Sequence, residues 1–560
     1  MNESRLKELL STLYAGEKLA EAHQAVLALA GRFSGVSHPV FPALSQRDVM
    51  LICYGDAILR EGELPLVTLN RFLRAHCAGQ ITNVHLLPCF PFTSDDGFSV
   101  SDYLSIDPAL GTWEDVETLS GSFGVMLDAV VNHTSKSHPW FRRCLAGESP
   151  YRHYYIQCDP AADYSHVTRP RALPLLSEFE TGQGKKLYWT TFSQDQVDVN
   201  FVSPLLLAEM LNILLTYAAR GARFIRLDAI GFAWKTAGST CINLPQAHAL
   251  VKIFRLVTES VFPGLKLITE TNVPHIENIA YFGDADEAHL VYQFPLPPLT
   301  LYTMLTGCTT ALSRWVDRLE KTPLKPGTTY FNFLASHDGI GVRPVMGILS
   351  DTEQKTLFEA AAAHGGRISY KDNGDGTSSP YELNISYMDA VTDPACGDDE
   401  LRCARFLASQ AVMLSLQGMP GIYYHSLLGS RNWVRGVNES GINRRINREK
   451  LDSDQLEQEF RSRGGLRYRV LEGYKRLLDA RSGQSAFSPY AKQAVCFDDE
   501  RVFALERMNR KAGTQVSVRI NVSGDCVALR EPVTGLDLFR GQIVELRVLS
   551  PYEIRWIARS

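Results

Sequence analysis

Eight short, nearly continuous apolar runs recur along the chain: VMLICYG (49–55), NVHLLPCF (83–90), GVMLDAVVNH (124–133), ARFIRLDAIG (222–231), LKLITETN (265–272), HLVYQF (289–294), TYFNFLASHD (329–338) and GIYYHSLLG (421–429). A strand that is apolar on both faces must be covered on both, the condition of a parallel strand with helices packed above and below it. Segments between the runs, such as 204–220 and 246–262, carry apolar residues at helical spacing. Eight buried strands alternating with helices predict an α/β fold, a closed (β/α)8 TIM barrel.

Two connections exceed ordinary loop length. About ninety residues rich in Pro, Tyr and Trp follow the third run, and about eighty follow the seventh, KDNGDGTSSP among them. Past residue 480 the runs VFALERM, QVSVRINV and IVELRVL alternate with period two, which predicts a small antiparallel β domain. At the other end Leu6, Leu9, Leu10 and Leu13 stand at helical spacing until Pro39 and Pro42 interrupt the pattern. The expected plan is a helical extension over 1–46, a barrel over 47–480 and a C-terminal β domain over 481–560. Within the barrel an inserted domain B falls at about 134–202, and a second insertion after the seventh strand at about 341–400.

Composition removes several function classes. The 57 basic and 62 acidic residues leave a net charge of -5, so no nucleic-acid partner is expected. Eleven cysteines lie scattered from Cys53 to Cys526 without a C-x-x-C pair, reading as free thiols rather than a disulfide or zinc framework. No stretch approaches the ~18 apolar residues of a membrane span, and the N-terminus lacks a signal-like apolar core. A cytoplasmic protein without a membrane partner is expected. The segment NGDGTSSP resembles a calcium loop, but the position five before Gly376 is Lys371 rather than aspartate, so a turn is expected.

Acids recur where the reacting groups of such a barrel sit, at the C-terminal ends of strands. Asp128 ends the third run, Asp228 the fourth, Glu270 the fifth and Asp338 the seventh. Burial alone disfavours carboxylates at such positions, and four from different strands can converge. Arg226 precedes Asp228 by two residues, so strand alternation points both the same way and favours ionised Asp228. Glu270, sharing the pocket with Asp228 and Asp338, is expected to have a raised pKa. His133 and His337 offer ring nitrogens to a hydroxyl-rich ligand. Asp128 and Asn132 also fit a purely structural role at the barrel mouth, and Asp198 fits one in domain B. Paired carboxylates with histidines are the equipment of glycosidic-bond chemistry.

The segments DAVVNH, RFIRLDAIGF, ITETN and ASHD, in that order over 128–338, resemble the four signature regions of the α-amylase family of glycoside hydrolases. The resemblance implies Asp228 as nucleophile, Glu270 as general acid/base and Asp338 as transition-state stabiliser, with Arg226, His133 and His337 holding a glucosyl unit. HLLPCFPFTSDDGF (85–98), SQDQVDVN (193–200), GSTC (238–241), DGIG (338–341) and INRRINR (442–448) narrow the likeness to the sucrose phosphorylase branch, over roughly residues 45–560. They imply Asp95, Phe98, Phe192, Gln196 and Arg444 around the glucose. On the acceptor and phosphate side they imply Arg169 and Arg171 of RPRALPLL (169–176), with Tyr381 and Glu382.

One stretch departs from the branch pattern. Ser379–Pro380–Tyr381–Glu382 stands where the branch has Asp-Leu-Tyr-Gln, and about 45 residues precede the first strand. With these features the chain looks most similar to the glucosylglycerate phosphorylases. The implied activity is reversible phosphorolysis of 2-O-α-glucosyl-glycerate, through a covalent glucosyl-enzyme, to α-glucose 1-phosphate and glycerate. Sucrose, sucrose 6'-phosphate and glucosylglycerol phosphorylases are the alternatives, followed by an α-glucosidase or transglucosidase and by a non-catalytic binding relative. The implied partners are a small sugar glucoside and inorganic phosphate, with no cofactor and no metal.

Overall fold

The computed structural model describes residues 1–36, 40–171, 173–372 and 377–559. Eight parallel strands close into a barrel: β1 (Met50–Cys53), β2 (Asn83–Leu86), β3 (Gly124–Val130), β4 (Ala222–Asp228), β5 (Lys266–Thr269), β6 (Leu290–Tyr292), β7 (Thr329–Phe333) and β8 (Met419–Tyr423). Each pairs in parallel with its sequence neighbours, and β8 returns to β1 with Met50 opposite Gly421. Nearly every strand residue is buried, because helices cover the outer face and side chains fill the inner one. Three outer helices, Pro65–His76, Pro204–Ala219 and Pro245–Val261, open on proline. A first-turn N–H has no intrahelical partner, so its loss costs the helix nothing there.

The eighth strand lies two residues earlier than the run at 421–429 suggests. It spans Met419–Tyr423, and Tyr424–Leu427 is already helical. Both pieces are buried, so continuous apolarity carries no mark of the change from strand to helix. Asp128 lies inside β3, and Asp338 lies five residues beyond the end of β7.

The segment after β3 forms two small sheets. His133–Ser135 pairs with Gln196–Asp198, and Gln157–Cys158, Gly184–Trp189 and Leu176–Thr181 form a three-stranded sheet. The segment after β7 holds the helix Asp351–Ala363 and an antiparallel sheet in which Ser378–Asn384 lies between Ile340–Gly341 and Arg367–Asp372. The turn expected at Asn373–Gly376 and the interruption at Pro39 lie outside the described residues. A six-stranded antiparallel sheet closes the chain.

The opening segment makes two helices, Glu3–Ser11 and Gly16–Phe33. Leu6, Leu9 and Leu10 are buried, and the Tyr14 hydroxyl donates to the Phe201 carbonyl at 2.7 Å. All eleven cysteines are free thiols. Among the described residues no helix is long and apolar enough to cross a membrane, and no cluster of three His, Cys, Asp or Glu is placed to hold a metal.

Candidate active site

The register of β3 against β4 sets Arg226 beside Asp128. The Arg226 guanidinium donates to Asp128 and, at 2.7 Å, to Asp228, and stands 4.0 Å from Glu270. Asp128 is fully buried, with its second oxygen 2.6 Å from the His85 ring. Burial opposes its charge, but Arg226 and His85 outweigh it and bring the pKa down to about 2. Asp128 is thus a permanent anion behind Arg226, bracing the guanidinium that faces Asp228.

Immediately after Asp228 the backbone turns sharply. Ala229 adopts a left-handed conformation, φ 50°, which L side chains disfavour and which concentrates at functional sites. This turn aims the Ala229 N–H at Glu270, to which it donates at 3.1 Å. Burial raises the Asp228 pKa to about 8; Arg226 opposes the rise and the Glu270 and Asp128 charges add to it. Glu270 is likewise raised by burial, with Arg226 opposing and Asp338 adding. The expectation that Arg226 keeps Asp228 ionised thus omitted the larger effect, the desolvation of a carboxylate deep in the barrel. The two acids are held as a pair that retains a proton at neutral pH. Arg226 opposes the rise at both acids, through a direct contact at Asp228 and at 4.0 Å from Glu270.

This pair has a stability signature. An acid whose folded pKa lies above its unfolded value destabilises the fold progressively as pH rises from about 4 to 8, because the folded state binds the extra proton in that window. Asp228→Asn removes the Asp228 share of this dependence, while Arg226 keeps its Asp128 partner. The variant's melting temperature should therefore exceed wild type by more at pH 8 than at pH 5. An equal difference at both pH values would show that Asp228 carries no such cost.

Asp338 is half-buried, and desolvation disfavours its charge, but Arg444 at 2.5 Å, His337 at 3.5 Å and Arg448 at 3.7 Å hold it well below the usual carboxylate range. Burial keeps the histidines neutral, His133 lowered to about 4 and His337 to about 3. His337 stacks on Phe98 at 4.8 Å between centroids. The loop after β2 is strained: Asp95 and Asp96 both have positive φ, and a Cβ on Gly97 would lie 2.8 Å from the Pro88 carbonyl oxygen. Arg445 and Arg448 fasten Asp96 at 2.6 and 2.5 Å. Asp95 accepts from Arg171 at 2.8 Å and from Gln196 at 3.2 Å.

Two adjoining cavities occupy the barrel mouth. The smaller, about 110 Å³, is lined by Asp95, Phe98, His133, Phe192, Gln196, Arg226, Asp228, Glu270, His337, Asp338 and Arg444. Every residue expected at the nucleophile, acid/base, stabiliser and glucose positions therefore borders one space. The larger, about 350 Å³, shares Arg171, Phe192, Glu270 and Tyr381 with it and adds Arg169, Arg343 and Lys371. Glu382, expected on the acceptor side, borders only the smaller cavity, because Arg444 holds both its oxygens at 3.0 and 2.7 Å. Sequence reasoning overlooked Arg448, His85 and Arg343. Arg448 lies in the quoted INRRINR segment, but linear spacing does not show that it folds under Asp338. Lys235 was also overlooked; it pairs with Asp198 at 2.5 Å and donates to Asn132 at 2.6 Å, tying the loop after β4 to the segment after β3.

An α-amylase catalytic-domain family model matches residues 79–363. The chain is 49% identical over 526 residues to the glucosylglycerate phosphorylase of Spirochaeta thermophila, covering 93% of this chain and 89% of that protein. It is 41% identical over 521 residues to the glucosylglycerate phosphorylase of Escherichia coli, covering 91% and 92%. The crystal structure of sucrose 6F-phosphate phosphorylase from Thermoanaerobacter thermosaccharolyticum superposes with a TM-score of 0.75 at 23% identity, over 90% of this chain and 98% of that one, a likeness of fold. With half its length matched by the family model and close identity along nearly all of it, the chain belongs to the α-amylase family, among the relatives of the glucosylglycerate phosphorylases.

Proposed function

We propose that the protein is a retaining glycoside phosphorylase that interconverts 2-O-α-glucosyl-glycerate and phosphate with α-glucose 1-phosphate and glycerate. The observation that carries this reading is the pairing of the two cavities. An acid-rich pocket holding Asp228, Glu270 and Asp338 opens, past Glu270, into one bordered by Arg169, Arg171, Arg343 and Lys371. The identity of 41–49% to glucosylglycerate phosphorylases supports the choice of acceptor.

Asp228 attacks the anomeric carbon while Glu270 gives its proton to the departing glycerate oxygen, leaving a covalent glucosyl-enzyme. Glu270, now a base, takes the proton of the incoming phosphate, which attacks the same carbon and releases Asp228. Asp338, kept anionic by Arg444, stabilises the oxocarbenium character of both steps. A hydrolase or transglucosidase uses the same acids; the arginines of the larger cavity favour an anionic acceptor over water.

The deciding experiment supplies glucose 1-phosphate with fructose, fructose 6-phosphate, glycerol or glycerate and measures released phosphate. Glycerate should be preferred to glycerol. Efficient use of fructose with indifference to glycerate would overturn the assignment. Arg171→Ala should weaken both phosphate and glycerate use by about one to two orders of magnitude, the worth of a charge-assisted hydrogen bond, and leave hydrolysis of the glucosyl-enzyme far less affected.

A further inference from the structure

We propose that Arg343 sets acceptor specificity: its guanidinium receives the anionic group of the acceptor, whether phosphate or the carboxylate of a small hydroxy acid. This rests on the phosphorylase reading and deepens its acceptor half.

The three arginines of the larger cavity are not equivalent. Arg171 is paired with Asp95 at 2.8 Å, and Arg169 donates to the carbonyl of Leu173. Arg343 is half-buried on the cavity wall, yet its side chain has no hydrogen bond and no ion pair among the described residues. A guanidinium partly stripped of water and left without a partner is costly, and an anionic ligand offsets that cost. Asp351 borders an adjoining cavity with Arg343 but forms no ion pair with it. Glu270 is the one carboxylate among the described lining of the larger cavity.

The backbone that carries Arg343 is packed on both sides. Val342, Pro344 and Val345 are buried, and the Val342 N–H donates to the Tyr381 carbonyl at 3.2 Å. Gly341 approaches the loop after β5 so closely that an added Cβ would lie 3.1 Å from the Asn272 amide nitrogen. Arg343 therefore lines the cavity from a fixed edge, close to the loop that begins at Glu270. Its planar fork matches two oxygens of a carboxylate or phosphate and gains little from a neutral hydroxyl. Such a residue separates charged acceptors from neutral ones of the same size.

The test uses α-glucosyl fluoride as donor, so that the glucosyl-enzyme forms without phosphate. Phosphate, glycerate, glycerol and water are compared as acceptors for wild type, Arg343→Gln and Arg343→Lys. Arg343→Gln should raise KM for phosphate and glycerate about 10- to 100-fold. Reaction with glycerol and water should stay within about threefold, and Arg343→Lys should recover part of the loss. Equal losses with all four acceptors, or an unchanged KM for phosphate, would overturn the assignment. A wild type that takes phosphate but ignores glycerate would refute the glycerate reading alone, and the phosphate arm would still decide Arg343.

Discussion

Asp228→Asn folds as wild type does and loses turnover by at least about four orders of magnitude, the scale on which removing a catalytic nucleophile acts. The substitution changes one oxygen to an amide nitrogen in a pocket where Asp228 is mostly buried. Arg226 remains anchored by Asp128, so the surrounding frame keeps its shape. What disappears is the charge that attacks the anomeric carbon. Steady-state phosphorolysis, together with circular dichroism to establish the fold, provides the measurement. Activity above about a hundredth of wild type would exclude Asp228 as the nucleophile.

Glu270→Ala separates two kinds of substrate. With a glyceryl glucoside the departing alkoxide needs a proton, and removal of the acid should lower kcat by about two to four orders of magnitude. Fluoride leaves with little protonic help, so glucosyl transfer to the enzyme from α-glucosyl fluoride should survive in part. Burial and neighbouring carboxylates hold Glu270 protonated above the usual glutamate range, which is the state an acid requires. The alkaline limb of the wild-type pH profile should therefore disappear in this variant. Equal losses with both donors would assign Glu270 a different role.

The arginine-rich wall under Asp338 explains how Asp228, Glu270 and Asp338 share one pocket. Arg444 and Arg448 keep Asp338 charged, Arg226 and His85 keep Asp128 charged, and Asp228 and Glu270 are raised, by burial first and by neighbouring carboxylates second. Environments that push neighbouring acids apart in pKa divide the roles between them.

The linear chain by itself determined the barrel, since eight apolar runs alternating with helical segments have few other ways to cover both faces of every strand. It also determined which acids meet, because strand ends of a closed barrel all face one mouth: Asp228, Glu270 and Asp338 border one cavity although 110 residues separate the first from the last. The tertiary structure alone decided how those acids are charged. Desolvation at Asp228 depends on what packs above it, and no local spacing encodes that. It alone decided that Glu382 turns to Arg444, that Arg448 lies under Asp338, and that Arg343 has no hydrogen bond or ion pair among the described residues. Each of these depends on loops from different strands meeting over the mouth, and side-chain pairing between such loops has no periodicity along the chain to betray it.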